Sequence, residues 1–226
     1  EAKGDASPVT QADRAAEVAM RALIEREQPH DGIIGEEYGP VREGAARQWV
    51  LDPIDGTRAF IGGRPTFGTL IALLEDGRPV LGIIDQPISG ERWLGAVGRA
   101  TTLNGAPCRT RACTAPGQAL LATTSPWLFG AAGAAAFDRV RGAARDTLLG
   151  GDCYNYAMLA SGHGDLVIEE GLKLYDFAAL VPVVEGAGGR MTDWDGRPLG
   201  ADSSGRVIAA GDPALIAPTL ALLKGA

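Results

Sequence analysis

Histidine and cysteine are scarce in this chain: its 226 residues include two histidines and three cysteines. His30 and His163 leave little room for chemistry built on imidazole. Cys108, Cys113 and Cys153 are odd in number and lack the CxxC spacing of a thiolate zinc site, which argues against both such a site and a disulfide framework. Free thiols fit a reducing compartment, so we expect a cytoplasmic protein.

Long apolar runs are also missing. Stretches such as Phe67–Leu74 are far shorter than the roughly 20 residues that span a bilayer, and no basic start followed by an apolar run indicates a secretory signal. The formal net charge is −7, from 21 basic and 28 acidic residues, whereas a general nucleic-acid surface needs a basic stripe. We therefore expect neither a membrane nor a nucleic acid as partner.

The overall composition is that of a globular protein, with 46% hydrophobic and 22% charged residues. At about 150 residues per domain, the length predicts one large domain or two small ones. The 32 glycines and 14 prolines indicate many loops. Because the first residue is not Met and Glu1–Pro8 is polar, we expect the chain to begin part-way into the native protein.

Hydrophobic periodicity and turn residues predict a different order of elements in the two halves of the chain. In the first half we expect a helix that begins at Thr10 and runs through Ile24, followed by strands at 33–34, 49–51, 67–74, 78–84 and 91–97. In the second half we expect strands at 120–123, 166–169 and 206–210, and helices at 131–145, 154–161, 176–186 and 213–223. Alternation of strands and helices favours a layered α/β fold.

Carboxylates recur at predicted strand ends and helix starts, namely at Asp13, Glu36-Glu37, Asp52, Asp55 and Asp176. Each feature alone has a plainer interpretation. A pair such as Glu36-Glu37 is usually solvated surface, and an Asp-Pro-x-Asp-Gly run is usually a turn with a helix cap. Their occurrence in one chain favours a common site.

The segment Asp52-Pro53-Ile54-Asp55-Gly56-Thr57 is the most informative of these. Pro53 fixes its own φ and pushes Asp52 into an extended conformation, and Gly56 permits an unusual φ. Two carboxylates around such a rigid turn can converge on hard cations such as Mg²⁺. Backbone N–H groups at a following helix start favour a phosphate. The combination is typical of phosphoryl transfer.

With these motifs the chain resembles the inositol monophosphatase family of metal-dependent phosphatases. The resemblance rests on Gly35-Glu36-Glu37, on residues 49–57 (WVLDPIDGT) and on residues 175–179 (YDFAA), in that order, after Ser7-Pro8-Val9-Thr10 near the start. It implies the layered α-β-α-β-α sandwich of the inositol monophosphatase/fructose-1,6-bisphosphatase superfamily. We expect a single catalytic unit over residues 1–226, with a metal-binding α+β half at 1–106 and an α/β half at 107–226 that completes the substrate pocket.

The same resemblance assigns roles to individual residues. It implies that Glu36, Asp52 and the Ile54 carbonyl bind one metal ion and that Asp52, Asp55 and Asp176 bind another, with two or three Mg²⁺ per active site. It also implies that Thr57 and Asp13, assisted by Glu36, orient and deprotonate a metal-activated water that attacks the phosphorus directly. The amides of Gly56 and Thr57 would hold the phosphate, and the family favours a homodimer.

The sequence departs from the inositol-type pattern after Gly56-Thr57. Inositol phosphatases usually continue with x-Asn-Phe-Val-His, whereas residues 58–71 here are similar to the histidinol-phosphate phosphatase branch, as are residues 123–126, 151–154 and 170–173. We therefore expect a phosphatase of small phosphorylated metabolites, with histidinol phosphate, an intermediate of histidine biosynthesis, as the favoured substrate. Inositol phosphate or another small phosphate ester is the alternative, and a non-catalytic homologue is the rival from another class.

Three residues are candidates for binding the substrate. By the resemblance, Asp152 and Glu169 fall where the alcohol portion is bound, and two carboxylates suit the protonated amine of histidinol. The alternatives are that Asp152 caps the helix predicted at Tyr154 and that Glu169 is a surface acid at a strand end. Arg58 is expected to contact the phosphate or a neighbouring subunit, or to be an ordinary loop residue.

Overall fold

The structure is a computed structural model that describes residues 10–225. It contains twelve strands: β1 Gly32–Gly35, β2 Arg47–Asp55, β3 Gly68–Glu75, β4 Arg78–Gln86, β5 Glu91–Ala96, β6 Thr102–Leu103, β7 Ala106–Pro107, β8 Leu120–Thr123, β9 Asp146–Leu149, β10 Leu166–Glu169, β11 Arg190–Thr192 and β12 Val207–Ala210. The α-helices are α1 Gln11–Glu27, α2 Thr57–Ile61, α3 Ala131–Ala143, α4 Cys153–Ala160, α5 Leu174–Phe177, α6 Leu180–Gly186 and α7 Ile216–Lys224. Short 3₁₀ helices span Pro116–Gln118, Pro126–Leu128 and Pro213–Leu215.

The strands form two sheets. The first has seven strands in chain order, β1 to β7, and only its β1–β2 pair is parallel. The second has five strands in the order β11-β12-β10-β8-β9, with β8 parallel to both β9 and β10. The antiparallel meander of the first half and the crossovers of the second half match the change in element order that the sequence predicts.

Alternating side chains of the second sheet pack into two separate cores, since successive residues of a strand face opposite ways. Val167 and Ala209 join α4, α5, α6 and the first sheet in the larger core. Ile168 and Ile208 face the other way and pack against Phe137 of α3 and against residues of α7. Helix α1 contacts β2 of the first sheet. The result is the predicted α-β-α-β-α sandwich.

Two glycines let the first sheet lie against the middle helices. A Cβ at Gly82 of β4 would stand 1.9 Å from the carbonyl oxygen of Ala179, and one at Gly95 of β5 would stand 2.3 Å from that of Pro182. Neither position has space for a side chain, so backbone meets backbone at this interface.

The predicted helix at 176–186 is two helices, α5 and α6, separated at Ala178 and Ala179. Both of these residues keep right-handed helical dihedrals, but Pro182 has no N–H to donate to the carbonyl of Ala178, which interrupts the hydrogen-bond ladder. The strands β6, β7, β9 and β11, which the sequence did not predict, have at most four residues each. Such short runs carry too little alternation to be recognised.

None of the helices found between residues 10 and 225 has the length and apolar character that crossing a membrane requires. Of the motifs that carry the family resemblance, Ser7-Pro8-Val9 lies outside the described residues.

Candidate active site

Three carboxylates meet where β2 ends and α5 begins. One oxygen from each of Asp52, Asp55 and Asp176 lies within 4.8 Å of the others. In a regular strand, side chains three positions apart point to opposite faces. Here the register of β2 against β3 shifts between Asp52 and Asp55, so a local irregularity around Pro53 accompanies the convergence of both carboxylates.

The electrostatics of this cluster favour a bound cation. Burial raises the pKa of Asp52 well above its usual value, and the charges of Asp55, Glu36 and Asp176 raise it further. Burial, followed by the charges of Asp152 and Asp176, also raises the pKa of Asp55. One carboxylate oxygen of Asp52 is buried and has no hydrogen-bond partner in the described part of the chain. Carboxylates that repel one another, one of them with an unpartnered oxygen, fit a hard divalent cation such as Mg²⁺.

The second helix places Thr57 beside the cluster. Its hydroxyl donates a hydrogen bond to the Ile54 carbonyl at 3.1 Å and lies 3.5 Å from Oδ1 of Asp13. Asp13 is fully buried, and its other oxygen, Oδ2, accepts from the backbone N–H of Thr10 at 2.9 Å and from the Thr10 hydroxyl, which caps α1. The structure thus brings together the predicted pair Thr57 and Asp13.

Glu36 lines the same cavity and shares a hydrogen bond with Asp52. Its loop is held by Glu17 of α1, a fully buried carboxylate that accepts from the backbone N–H groups of Glu37 at 2.8 Å and Tyr38 at 3.2 Å and pairs with Arg21 at 2.7 Å. Sequence analysis did not identify Glu17. Its spacing of four residues from Arg21 on α1 was the available signal, although many exposed pairs share that spacing.

A cavity of about 800 Å³ joins this cluster to the second half of the chain. Its wall includes all three predicted substrate-binding residues, Arg58, Asp152 and Glu169, together with Arg64.

Asp152 directs its carboxylate toward Gly56 rather than capping α4. It occupies the residue before the helix, but its side chain makes no capping hydrogen bond, and a Cβ built on Gly56 would stand 2.9 Å from its Cγ. The capping alternative is therefore wrong. Burial raises the pKa of Asp152 to about 6, although Arg58 and Arg64 lower it.

The backbone around Asp152 follows an uncommon path. Three successive residues have positive φ angles: 87° at Gly150, 116° at Gly151 and 47° at Asp152. A non-glycine residue in this region stores backbone strain. The position of the Asp152 carboxylate is therefore achieved at some loss of folding free energy.

Glu169 is 1% exposed, so the surface-acid alternative is wrong as well. It accepts hydrogen bonds from the backbone N–H of Thr124 at 2.7 Å, from its hydroxyl at 2.9 Å and from the Thr123 hydroxyl at 3.4 Å. Burial raises the pKa of Glu169 to about 7, although the donors of Thr124 lower it. The adjacent Glu170 accepts from the backbone N–H of Gly130 at 2.9 Å. The two glutamates thus hold both ends of the segment 124–130, whose Trp127 is 87% exposed at the cavity wall.

Known proteins resemble this chain both in sequence and in fold. The sequence model described as "Inositol monophosphatase family" matches residues 1–224. The chain is 54% identical over 219 residues to the bifunctional phosphatase IMPL2, chloroplastic, of Arabidopsis thaliana, an alignment that covers 93% of this chain and 63% of that protein. It is 37% identical over 205 residues to the histidinol-phosphatase of Mycobacterium tuberculosis, covering 86% of this chain and 77% of that protein.

Among solved structures, an inositol monophosphatase from Zymomonas mobilis superposes with a TM-score of 0.92 at 63% identity, covering 99% of this chain and 87% of that one. An inositol monophosphatase from Anabaena superposes with a TM-score of 0.86 at 29% identity, covering 96% of this chain and 87% of that one.

Proposed function

From the premise that this chain belongs to the inositol monophosphatase family, we propose that it is a Mg²⁺-dependent phosphatase whose favoured substrate is histidinol phosphate. The observation that carries the substrate assignment is the presence of two carboxylates, the half-buried Asp152 and the buried Glu169, in the wall of the cavity that also contains the acidic cluster. Above about pH 7 both carboxyls are ionised, so the organic end of the substrate would meet negative charge there.

Asp52, Asp55 and Asp176 would hold the cations, with Glu36 and the Ile54 carbonyl as further ligands. When bound, Mg²⁺ would make water more acidic and neutralise the negative charge of the phosphate ester. Both halves of the chain contribute, since residues 1–106 supply four of these groups and residues 107–226 supply Asp176, Asp152 and Glu169. This is why we treat residues 1–226 as a single catalytic unit.

Thr57 and Asp13 would act on the attacking water. The Thr57 hydroxyl can take a proton from the water while passing its own to Asp13, which lies 3.5 Å away. The water oxygen then forms a new bond to phosphorus, the ester P–O bond breaks, and the ester oxygen leaves as an alcohol after taking a proton from solvent. The amides of Gly56 and Thr57, together with Arg58, would orient the phosphate during this exchange.

The choice of alcohol would depend on charge. Histidinol carries a protonated amine, and hydrogen bonds between an ammonium group and a carboxylate are roughly twice as strong as neutral ones. Inositol carries only hydroxyls and gains less from Asp152 and Glu169. Inositol phosphate is the second candidate, because the Zymomonas mobilis protein named as an inositol monophosphatase is 63% identical to this chain.

The test compares histidinol phosphate with inositol 1-phosphate at a fixed Mg²⁺ concentration. We expect Asp152→Asn to lower kcat/KM on histidinol phosphate by about tenfold or more, because a hydrogen bond to a charged group is lost, and to change it less than about twofold on inositol phosphate. The control is Asp85→Asn, since Asp85 pairs with Arg92 outside the cavity. Equal losses on both esters, or a wild type that prefers inositol phosphate, would contradict the substrate assignment.

A further inference from the structure

Tyr156 has a hydroxyl group for which the fold offers no partner. The residue lies on α4, is 2% exposed and lines the cavity. Its hydroxyl oxygen is buried and makes no hydrogen bond to any part of the chain that the structure describes. Tyr154, two residues earlier on the same helix, differs in this respect, since its hydroxyl donates to Oε2 of Glu91 at 2.8 Å.

The surroundings of this hydroxyl decide what it can do. Burial raises the pKa of Tyr156 well above its usual value, and the negative charges of Glu169, Asp55 and Asp176 raise it further. The hydroxyl therefore keeps its proton at neutral pH and is available as a hydrogen-bond donor. Its charged neighbours come from both parts of the cavity: Asp55 and Asp176 belong to the cation cluster, whereas Glu169 is assigned to the organic end of the substrate.

A buried donor without an acceptor destabilises a folded protein, and native structures contain few of them. Such a group can gain a hydrogen-bond acceptor when a ligand binds. A substrate whose phosphate lies at the cation cluster and whose organic end lies at Glu169 would have its ester oxygen between the two. The same acids, Glu169, Asp55 and Asp176, are the charges that act on Tyr156.

We propose that the Tyr156 hydroxyl donates a hydrogen bond to the ester oxygen of the bound substrate. The inference rests on the proposed phosphatase function and adds a contact to the leaving group. The ester oxygen gains negative charge as its bond to phosphorus breaks, so the hydrogen bond becomes stronger in the transition state than in the bound substrate. Tyr156 retains its proton throughout the reaction. Removal of its hydroxyl group therefore lowers kcat more than it raises KM.

The experiment compares Tyr156→Phe with Tyr154→Phe, two variants that each remove one hydroxyl from α4. We expect Tyr156→Phe to unfold at the wild-type temperature or above it, because no hydrogen bond is lost, and to lower kcat on an alkyl phosphate such as histidinol phosphate or glycerol 2-phosphate by about tenfold or more. We expect Tyr154→Phe to lower the unfolding temperature by about 2–4 °C and to leave kcat within twofold of the wild type. On p-nitrophenyl phosphate, whose aromatic ring delocalises the charge of the leaving oxygen, Tyr156→Phe should lose less than about threefold.

Three results would overturn the role of Tyr156. The first is an unchanged kcat of Tyr156→Phe on the alkyl ester. The second is a fall in its unfolding temperature like that of Tyr154→Phe, which would mean that the hydroxyl already has a partner, such as a buried water. The third is an equal loss of kcat on the alkyl and aryl esters. A wild type that releases no phosphate from any ester contradicts the proposed function itself, a distinguishable outcome.

Discussion

At the scale of single residues, Asp52 is an acid of the cluster whose ionisation lowers the stability of the folded protein. Its carboxylate is buried, lies next to three other acids and has an oxygen without a hydrogen-bond partner among residues 10–225. A carboxyl whose pKa is raised on folding is easier to ionise in the unfolded chain. In the absence of metal, the free energy of unfolding therefore falls as the pH rises from about 4 toward neutrality.

We expect Asp52→Asn to separate these two effects. Without metal at neutral pH, the variant should be at least as stable as the wild type, because the buried charge is gone. Mg²⁺ should raise the unfolding temperature of the wild type, as a ligand specific for the folded state does, but not that of the variant, and kcat should fall more than about 100-fold. Thermal unfolding with Mg²⁺ and with a chelator measures both effects. A variant that Mg²⁺ stabilises as much as the wild type would disprove the role of Asp52.

For single residues, the sequence predicts a site well when its members are close together in the chain. Asp52 and Asp55 are close because only two residues separate them, in an irregular part of β2. The family resemblance identified Asp13 and Thr57 as partners. The burial of Glu169 could not be predicted, because it depends on Thr124, which lies 45 residues away. The missing partner of the Tyr156 hydroxyl could not be predicted for the same reason, since its charged neighbours come from three separate segments.

Among the elements, α1 has a role that its composition does not reveal. Its amphipathic pattern predicts a helix, yet its buried residues are the two acids Asp13 and Glu17. One acid faces Thr57, and the other holds the loop of Glu36 and Glu37. The helix therefore positions the site by hydrogen bonds more than by apolar packing.

The substitution Glu17→Gln tests this role. We expect it to lower the free energy of unfolding by about 2–3 kcal/mol, because a buried acceptor of three hydrogen bonds loses its charge, and to lower kcat because the Glu36 loop is released. The control Glu25→Gln lies on the same helix, where Glu25 pairs with Arg42 at an exposed position, and should change stability by less than about 0.5 kcal/mol. Urea titration of both variants gives the comparison, and equal stabilities would refute the proposed role of Glu17.

Element boundaries were predicted well where a cap or a break lies in the local sequence. The capping box of Thr10 and Asp13 begins α1, and the turn after Glu75 joins the two strands of the predicted hairpin, β3 and β4. The division between α5 and α6 was not predicted, because helical dihedrals continue through Ala178 and Ala179 and only the hydrogen bonding at Pro182 changes.

The whole molecule depends on the contact between its two halves, since the proposed ligands Asp52 and Asp176 lie in different halves. Backbones approach closely in that contact where Gly82 of the first sheet meets Ala179, a residue between α5 and α6. The sequence predicts both halves and their order. The close approach of the two backbones could not be predicted, because it leaves no hydrophobic pattern in the sequence.

We expect Gly82→Ala to lower the free energy of unfolding by about 3 kcal/mol, since its Cβ would stand 1.9 Å from a carbonyl oxygen that cannot move freely. Activity should fall with it, because α5 carries Asp176. The matched control is Gly142→Ala on α3, where no atom lies within 4 Å of the added Cβ and the change should stabilise the protein by about 0.5–1 kcal/mol. Denaturant unfolding decides between them; a Gly82 variant as stable as the wild type would mean that the halves are not held by this contact.

The run of positive φ angles at Gly150, Gly151 and Asp152 limits which residues of the cavity wall can be substituted during evolution. Exchanging either glycine for a residue with a side chain would strain the backbone. Substitutions at these two positions should therefore be destabilising and rare. Arg58, on the ordinary helix α2, and Arg64, just after it, face no such restriction. Because Arg58 is proposed to orient the phosphate, we expect new substrate preferences among related proteins to arise first at Arg64, whereas the backbone of the Asp152 loop stays unchanged.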